Sequence, residues 1–380
     1  MIKQILAACL VGLSGPTLLG AELVILQSGI VNDRIDNAQC PTALIQVKPG
    51  EYVTAFMDKG DGVAETATYF VRTKDRGRTW SRPFMRYRPE GKDIGGAPGF
   101  TQLKDGRILG AISLLKHTDT SAAGFRSLRY GKAAVVAPDF RRKRIVQVAE
   151  LETPEMCIPV PMPNNIIELS NGDMLLPSYV YEFDQIIIKP DGFPYGSGFF
   201  RSRDGGKTWG TFERAFVEPD LGNPYYYNES VIFEKEDHTL VAFARIDSRP
   251  VNNMWKTTSK DFGKTWSAPE ETDIPATYPT GIRAQDGYYV MVAGYLKDPI
   301  PRTVTIFFSE DGEHFTPLGI PRYSRPADKN GRPYNSGTGG MQAIIEVEKD
   351  VFLVTFYSCD PELKGSEKCY VDSCLFRIKR

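Results

Sequence analysis

Lys74-Asp75-Arg76-Gly77-Arg78-Thr79-Trp80, Arg203-Asp204-Gly205-Gly206-Lys207-Thr208-Trp209, Lys260-Asp261-Phe262-Gly263-Lys264-Thr265-Trp266 and the looser Glu310-Asp311-Gly312-Glu313-His314-Phe315 are four versions of one turn. In such a turn Asp accepts hydrogen bonds from nearby backbone amides, Gly supplies a positive φ, and the terminal aromatic packs into apolar surroundings. Self-similarity at intervals of roughly fifty to sixty-five residues means an array of small sheets. Ala137-Pro138-Asp139-Phe140 falls where a further copy is due and is read as a degenerate one. The turn residues, with three of the chain's four tryptophans among them, are scaffold: they define a fold and leave the reaction open.

Strand-turn-strand patterns recur between these turns. They span 43–56 around Pro49-Gly50, 99–114 around Asp105-Gly106, 165–179 around Asn171-Gly172, 230–244 around Asp237-His238, 281–294 around Asp286-Gly287 and 342–357 around Lys349-Asp350. The expectation is an all-β, six-bladed β-propeller of four-stranded antiparallel blades. Such a ring closes when one end of the chain completes the other's sheet, and 22–27 and 373–378 are the strand-like ends available. Alternating strand direction puts the aspartate turns and hairpin turns on one face. The starts of the inner strands, and any function, belong on the other.

A hydrophobic content of 41% suffices for a packed core, and repeats running through most of the 380 residues favour a single domain over 22–380. The balance of 46 basic against 47 acidic residues carries no polyelectrolyte signature, so nucleic acid is not an expected partner. Residues 1–21 hold one early lysine, an apolar run and small residues at Gly20 and Ala21, the pattern of a secretory signal rather than a membrane span. Leu6-Ala7-Ala8-Cys9 has the form of a lipoprotein box, but few residues precede that cysteine, which argues against lipid anchoring. A secreted or periplasmic location follows, where a disulfide among Cys359, Cys369 and Cys374 is plausible. His117, His238 and His314 are scattered, and no metal, nucleotide or other cofactor is implied.

The turns are copies of a Ser-x-Asp-x-Gly-x-Thr-Trp box that resembles the sialidase propeller family with its aspartate-box (BNR) repeats. Outside the boxes, Asn228-Glu229-Ser230-Val231-Ile232-Phe233 followed by Leu240-Val241-Ala242-Phe243-Ala244-Arg245 is similar to the family's glutamate strand and its second carboxylate-binding arginine. Arg302, nine residues before Asp311, is similar in position to the third arginine. The resemblance breaks at the first arginine, where Gln39-Cys40-Pro41 stands and Arg34 lies upstream. It breaks again at the nucleophilic tyrosine, where the chain has Gly339-Gly340-Met341-Gln342, with Tyr334 several residues too early. In the loop that holds the family's catalytic aspartate, Asp61 is the first choice, with Asp58 and Glu65 as competitors. His117 is an alternative acid or base.

What the resemblance implies is an exo-acting glycoside hydrolase releasing a terminal acidic sugar, foremost sialic acid, from sialylated or other acidic glycans. Glu229, Asp61 and His117 are the catalytic candidates; Arg245, Arg302, Gln39 and Asp58 are the substrate-binding ones. A guanidinium fork suits a sugar carboxylate better than lysine does. Without the tyrosine, Glu229 would act directly, as a base for water or as a stabiliser of an oxocarbenium-like transition state. Phe100, Tyr179, Tyr181, Tyr225, Tyr226, Tyr227 and Tyr278 could line a sugar subsite. The altered arginine set leaves room for a hydrolase or lyase of another, uronic acid-containing glycan, and the absent tyrosine for a propeller that binds glycans without cleaving them.

Overall fold

The computed structural model describes residues 20–32, 34–35, 37–59, 63–94, 99–117, 128–152, 157–162, 166–182, 196–216, 227–246, 253–296, 303–322, 341–359 and 369–380. The expected signal segment lies almost entirely outside them. All pairing among the described strands is antiparallel, beginning with an opening strand β1 (Glu22–Asn32). A first sheet holds β2 (Gln39–Lys48), β3 (Glu51–Met57), β4 (Thr68–Thr73) and β5 (Met85–Tyr87). A second holds β6 (Asp93–Ile94), β7 (Gly99–Gln102), β8 (Ile108–His117), β9 (Leu128–Asp139) and β10 (Arg144–Leu151). A third holds β11 (Cys157–Pro161), β12 (Ile167–Glu168), β13 (Met174–Glu182), β14 (Gly196–Ser202) and β15 (Glu213–Arg214).

The fourth sheet is continuous from β16 (Tyr227–Glu234) through β17 (Leu240–Ile246), β18 (Asn253–Ser259), β19 (Glu270–Arg283), β20 (Tyr289–Tyr295) and β21 (Thr303–Ser309) to β22 (Thr316–Gly319). The last joins β23 (Ala343–Glu348), β24 (Val351–Cys359) and β25 (Cys369–Lys379) to β1, so the N-terminal strand completes the C-terminal sheet as expected. Glu22 lies opposite Lys379 and Gly29 opposite Ser373.

The expected six-bladed propeller of four-stranded blades is corrected. The described strands form five sheets of four, five, five, seven and four strands. The cause is β19, a 14-residue strand whose first half pairs with β18, from Lys256↔Glu270 to Asn253↔Pro275, and whose second half pairs with β20, from Ala276↔Tyr295 to Arg283↔Tyr289. No glycine interrupts it before Gly281, and Pro275 disfavours a helical turn at Ile274, so the backbone stays extended across the junction. The two halves of this long sheet nevertheless pack on each other, with Phe233, Phe243, Phe307 and Phe315 between them.

Apolar layers between successive sheets make the ring. Phe70 and Phe100 join the first sheet to the second, Leu109 and Phe200 the second to the third, and Phe199 and Leu240 the third to the fourth. Phe308 meets Phe352 in the next layer, and Leu44 meets Leu353 where the ring returns to its start. Phe100, offered above as a sugar-stacking residue, is therefore core.

The aspartate boxes lie at these seams. In all four a hydroxyl two residues before the Asp (Thr73, Ser202, Ser259, Ser309) donates to its Oδ1 at 2.8–2.9 Å and accepts the glycine N–H at 2.8–3.0 Å. In the first three copies the following Thr closes the turn from the other side, donating its N–H to Oδ1 at 2.9 Å and its hydroxyl to Oδ2 at 2.6 Å. The fourth box is one residue shorter, and the His314 ring stands in for the threonine at 2.7 Å from Asp311 Oδ2. Asp139 keeps a fragment of this pattern. It accepts the Arg142 N–H at 3.0 Å, but Ala137 occupies the hydroxyl position.

The first three boxes reach into the preceding sheet. A Cβ on Gly206 would lie 2.6 Å from Leu109 Cδ1, and Trp266 packs 6.0 Å from the Phe199 ring. A second device recurs among the hairpins, where Glu168, Glu234 and Glu346 accept the N–H of Lys104, Ser170 and Gln285 at 2.6, 2.9 and 2.7 Å. The donor is in each case the residue before the Asp-Gly or Asn-Gly turn of the preceding hairpin. Cys369 is disulfide-bonded, and the ladder places Cys359 opposite it. Cys40 and Cys374 are buried, and burial pushes the Cys374 thiol up to about 12. Among the described residues no helix is long and apolar enough to cross a membrane.

Two outcomes are expected. Gly206→Ala, at φ 84° and against Leu109, should lower stability by roughly 1–3 kcal/mol in chemical denaturation. Burial works against ionisation of Asp261, but hydrogen bonds from Thr265, Ser259 and Lys264 outweigh it and hold the carboxyl at about 2. Its contribution to stability is then complete above the ordinary carboxylate range and lost as pH falls through about 2. Melting temperatures between pH 5 and 2 should fall less steeply in Asp261→Asn than in the wild type.

Candidate active site

On the face opposite the boxes, the inner strands do not begin cleanly. At β2, Gln39 pairs with Met57 and Ala43 with Ala55, so Cys40, Pro41 and Thr42 bulge against Phe56 alone. At β16, Tyr227 pairs with Ile246 and Ser230 with Ala244, so Asn228 and Glu229 oppose Arg245. At β19, Tyr278 and Pro279 oppose Ala293. Bulges of this kind re-aim side chains and collect at functional rims. Cys40 and Tyr278 both take the left-handed conformation, at φ 54° and 51°, unusual for residues with a Cβ.

The bulge in β16 brings Glu229 and Arg245 together. Arg245 Nη1 lies 3.1 Å from Glu229 Oε1 and 3.0 Å from Oε2, and the Glu229 carboxylate accepts the Tyr278 N–H at 3.0 Å through Oε2. The pair is largely buried, with side-chain exposures of 9% for Glu229 and 18% for Arg245. Ions taken out of water need partners of this kind, since an unpaired buried charge is costly. The Tyr278 carbonyl, in the next peptide unit, is held from behind. Gln342, fully buried just before β23, donates Nε2 to Tyr278 O at 2.6 Å and to Val292 O at 2.7 Å. Met341 beside it packs on Cys40 and Met57. One connected set of contacts thus links the starts of four inner strands, β2, β16, β19 and β23.

Of the other expected site residues, Gln39 is half-buried at the start of β2, in the same set of strand starts, whereas Arg34 lies in an exterior groove against β1. Asp58 has both oxygens engaged within its own loop, accepting the Ala67 N–H at 2.9 Å and the Tyr69 hydroxyl at 3.3 Å. Glu65 lies 3.6 Å from Arg88. His117 ends β8 opposite Leu128. Asp61, Arg302, Tyr334, Tyr225 and Tyr226 lie outside the described residues. Tyr227 is core, 5.0 Å from Phe216 and 5.8 Å from Trp255 between ring centres. Tyr179 is half-buried in β13.

Sequence reasoning missed the backbone of Tyr278 and the carboxamide of Gln342. A signal existed: Cys40-Pro41-Thr42-Ala43 and Tyr278-Pro279-Thr280-Gly281 are the same pattern at two bulged strand starts. His238 and His314 sit on the opposite, box-bearing face, against Ser170 and Asp311.

Residues 139–320 match the BNR repeat-like domain family. The chain carries BNR-type repeats on a sialidase-like propeller fold. Among solved structures, a protein of unknown function from Dyadobacter fermentans superposes with a TM-score of 0.71 at 18% identity, covering 95% of this chain and 100% of the other. The intramolecular trans-sialidase of Ruminococcus gnavus gives 0.60 at 13% identity, covering 92% and 96%. An α-L-arabinofuranosidase of Fusarium graminearum gives 0.61 at 11% identity, covering 90% and 97%. No curated protein matches the chain by sequence. At these identities the likeness is one of fold, and the sialidase-like scaffold is one that glycoside hydrolases of differing specificity share.

Gln342→Leu, nearly isosteric and unable to donate, should cost about 1–3 kcal/mol for each of the two carbonyls it leaves without its amide. Because Tyr278 would lose its tether, the Tyr278 amide proton should also exchange faster in hydrogen-exchange mass spectrometry while amides of the box turns keep their protection.

Proposed function

We propose that this protein is an exo-acting glycoside hydrolase that releases a terminal acidic sugar, foremost a sialic acid, with Glu229 as its central carboxylate. The observation that carries the reading is the Glu229 arrangement itself: a carboxylate on the non-box face, fixed by one guanidinium and one backbone N–H. Cleavage of a glycosidic bond builds positive charge on the anomeric carbon, and a preorganised carboxylate stabilises that charge or takes a proton from the attacking water. Gln342 precedes β23 where a nucleophilic phenol would be sought, so Glu229 acts without relaying through tyrosine. Arg245 and Arg302 would form the cationic side that meets the substrate carboxylate. Asp61 or His117 would supply the acid.

A second reading, hydrolysis of a neutral furanoside, is favoured by one contact. Arg245 already neutralises Glu229, which lowers its attraction for a substrate anion, and an arabinofuranosidase shares the fold. The reading includes export, supported by the apolar N-terminal run and by the disulfide at Cys369.

The test is incubation of the wild type and Glu229→Gln with α2-3, α2-6 and α2-8 sialylated glycans, uronate-terminated oligosaccharides and arabino-oligosaccharides, with released sugars identified by mass. Wild type should release sialic acid, and Glu229→Gln should lose roughly 10²–10⁴-fold in kcat with a melting curve still cooperative. Arabinose release without sialic acid would favour the furanoside reading. Binding without release of any sugar would leave a glycan-binding propeller.

A further inference from the structure

A groove of about 460 Å³ runs along the outside of the ring where it closes, between β1 and the segment that follows the first aspartate box. We infer that this groove is a second binding site, separate from Glu229, for an acidic oligosaccharide carrying carboxylate or sulfate groups. It goes beyond the hydrolase reading and does not depend on it.

The charge on the groove is one-sided. Arg78 and Arg82 line it, and among the described residues no Asp or Glu does. In a chain of net charge −1 this is a local concentration. Neighbouring arginines are matched: Arg72 pairs with Glu51 at 3.1 Å and Arg76 with Glu348 at 2.6 Å. Arg78 and Arg82, both exposed, make no ion pair among the described residues.

The surroundings of these arginines are already fixed. Gly29 of β1 is pressed against the box, so that a Cβ there would come within 1.9 Å of Gly77 O. Gln27 Nε2 donates to Arg76 O at 2.7 Å, and Ser373 Oγ to Gly77 O at 2.8 Å. The Trp80 ring is oriented by its Nε1–H on Ser373 Oγ at 3.0 Å. Thr79 is engaged with Asp75, while Ser81 Oγ accepts the Arg72 N–H and donates to Arg82 O. What the groove presents outward is therefore a pair of guanidinium groups, the half-buried Trp80 ring and the 40%-exposed Ile30.

That combination selects the ligand. Guanidinium forks pair with planar or tetrahedral oxyanions in bidentate fashion, and an indole face takes the apolar C–H face of a sugar ring. The volume is in the range of small-ligand sites, enough for more than an isolated anion. A site of this kind on the flank would hold an acidic polymer near the enzyme and raise the local concentration of chain ends.

The experiment uses the full mature chain carrying Glu229→Gln, so that no probe is consumed, and calorimetric titration with three hexasaccharides: one sulfated from heparin, one carboxylated from polygalacturonate, and neutral cellohexaose. At least one anionic probe should bind, at least tenfold more tightly than the neutral one, and with affinity falling as NaCl is raised from 20 to 150 mM. Which anionic probe binds better assigns the charged group. Arg78→Glu/Arg82→Glu should weaken that binding at least tenfold, and the milder Arg78→Gln/Arg82→Gln should weaken it in the same direction with an unchanged melting temperature. Equal affinity in the substituted proteins, equal binding of the neutral probe, or no binding of any probe would each overturn the inference. Hydrolysis by the wild type, measured separately, bears only on Glu229.

Discussion

The aspartate box is the interaction on which the rest of the structure depends. Each carboxylate takes in the hydroxyl two residues before it, the amide of the residue that closes the turn and, in three copies, that residue's hydroxyl. A turn so saturated has few alternative conformations, and its aromatic residue leaves it in a fixed direction. Sheets that expose apolar residues on both faces need neighbours on both sides, and the boxes set how those neighbours meet. Trp209 enters the layer that holds Leu109, Phe315 the layer that holds Phe233, and Trp80 reaches Ser373 across the closure. The glutamates that accept amides from the preceding hairpins tie successive sheets as well.

With one face fixed in this way, the other can carry irregular backbone. Three inner strands begin with bulges, and two residues with side chains take positive φ there. Strain of this kind persists only where surrounding structure holds it, and Gln342 supplies the hold by donating to the Tyr278 carbonyl and to that of Val292. The geometry at Glu229 is thus a product of several sheets. Its own bulge turns it toward Arg245, β19 brings the amide, and the residue before β23 holds the Tyr278 carbonyl.

Local chemistry was legible in the sequence; long-range pairing was not. The boxes and hairpin turns announce themselves within a few residues, because Asp, Gly and a terminal aromatic satisfy their turn internally. The closure of β1 on β25 follows from the need of any ring to have no loose edge. The number of separate sheets could not be read in this way, since whether β19 breaks or continues depends on the partners its two halves find in β18 and β20 as well as on its own residues. Glu229 and Arg245 stood out by resemblance to a known pattern. Tyr278 acts through its N–H and Gln342 through a carboxamide on a carbonyl 64 residues away, and neither role leaves a mark on residue type. Asp58 shows the opposite failure: a carboxylate in a promising loop that the loop itself uses.

The pairing of Arg245 with Glu229 also constrains what the site can recognise. Both contacts to Glu229 come from Nη1, so one terminal nitrogen serves the protein's own carboxylate. A substrate anion placed beside this pair meets a guanidinium whose charge is already balanced, and gains less from it than from an unpaired arginine. On the proposed hydrolase reading a neutral sugar would meet no such loss, because it would require of Glu229 only proximity to the anomeric carbon. Discrimination between acidic and neutral sugars therefore rests on whether further cations join Arg245 on that face. The ion pair by itself fixes the Glu229 carboxylate without deciding the charge of a sugar placed beside it.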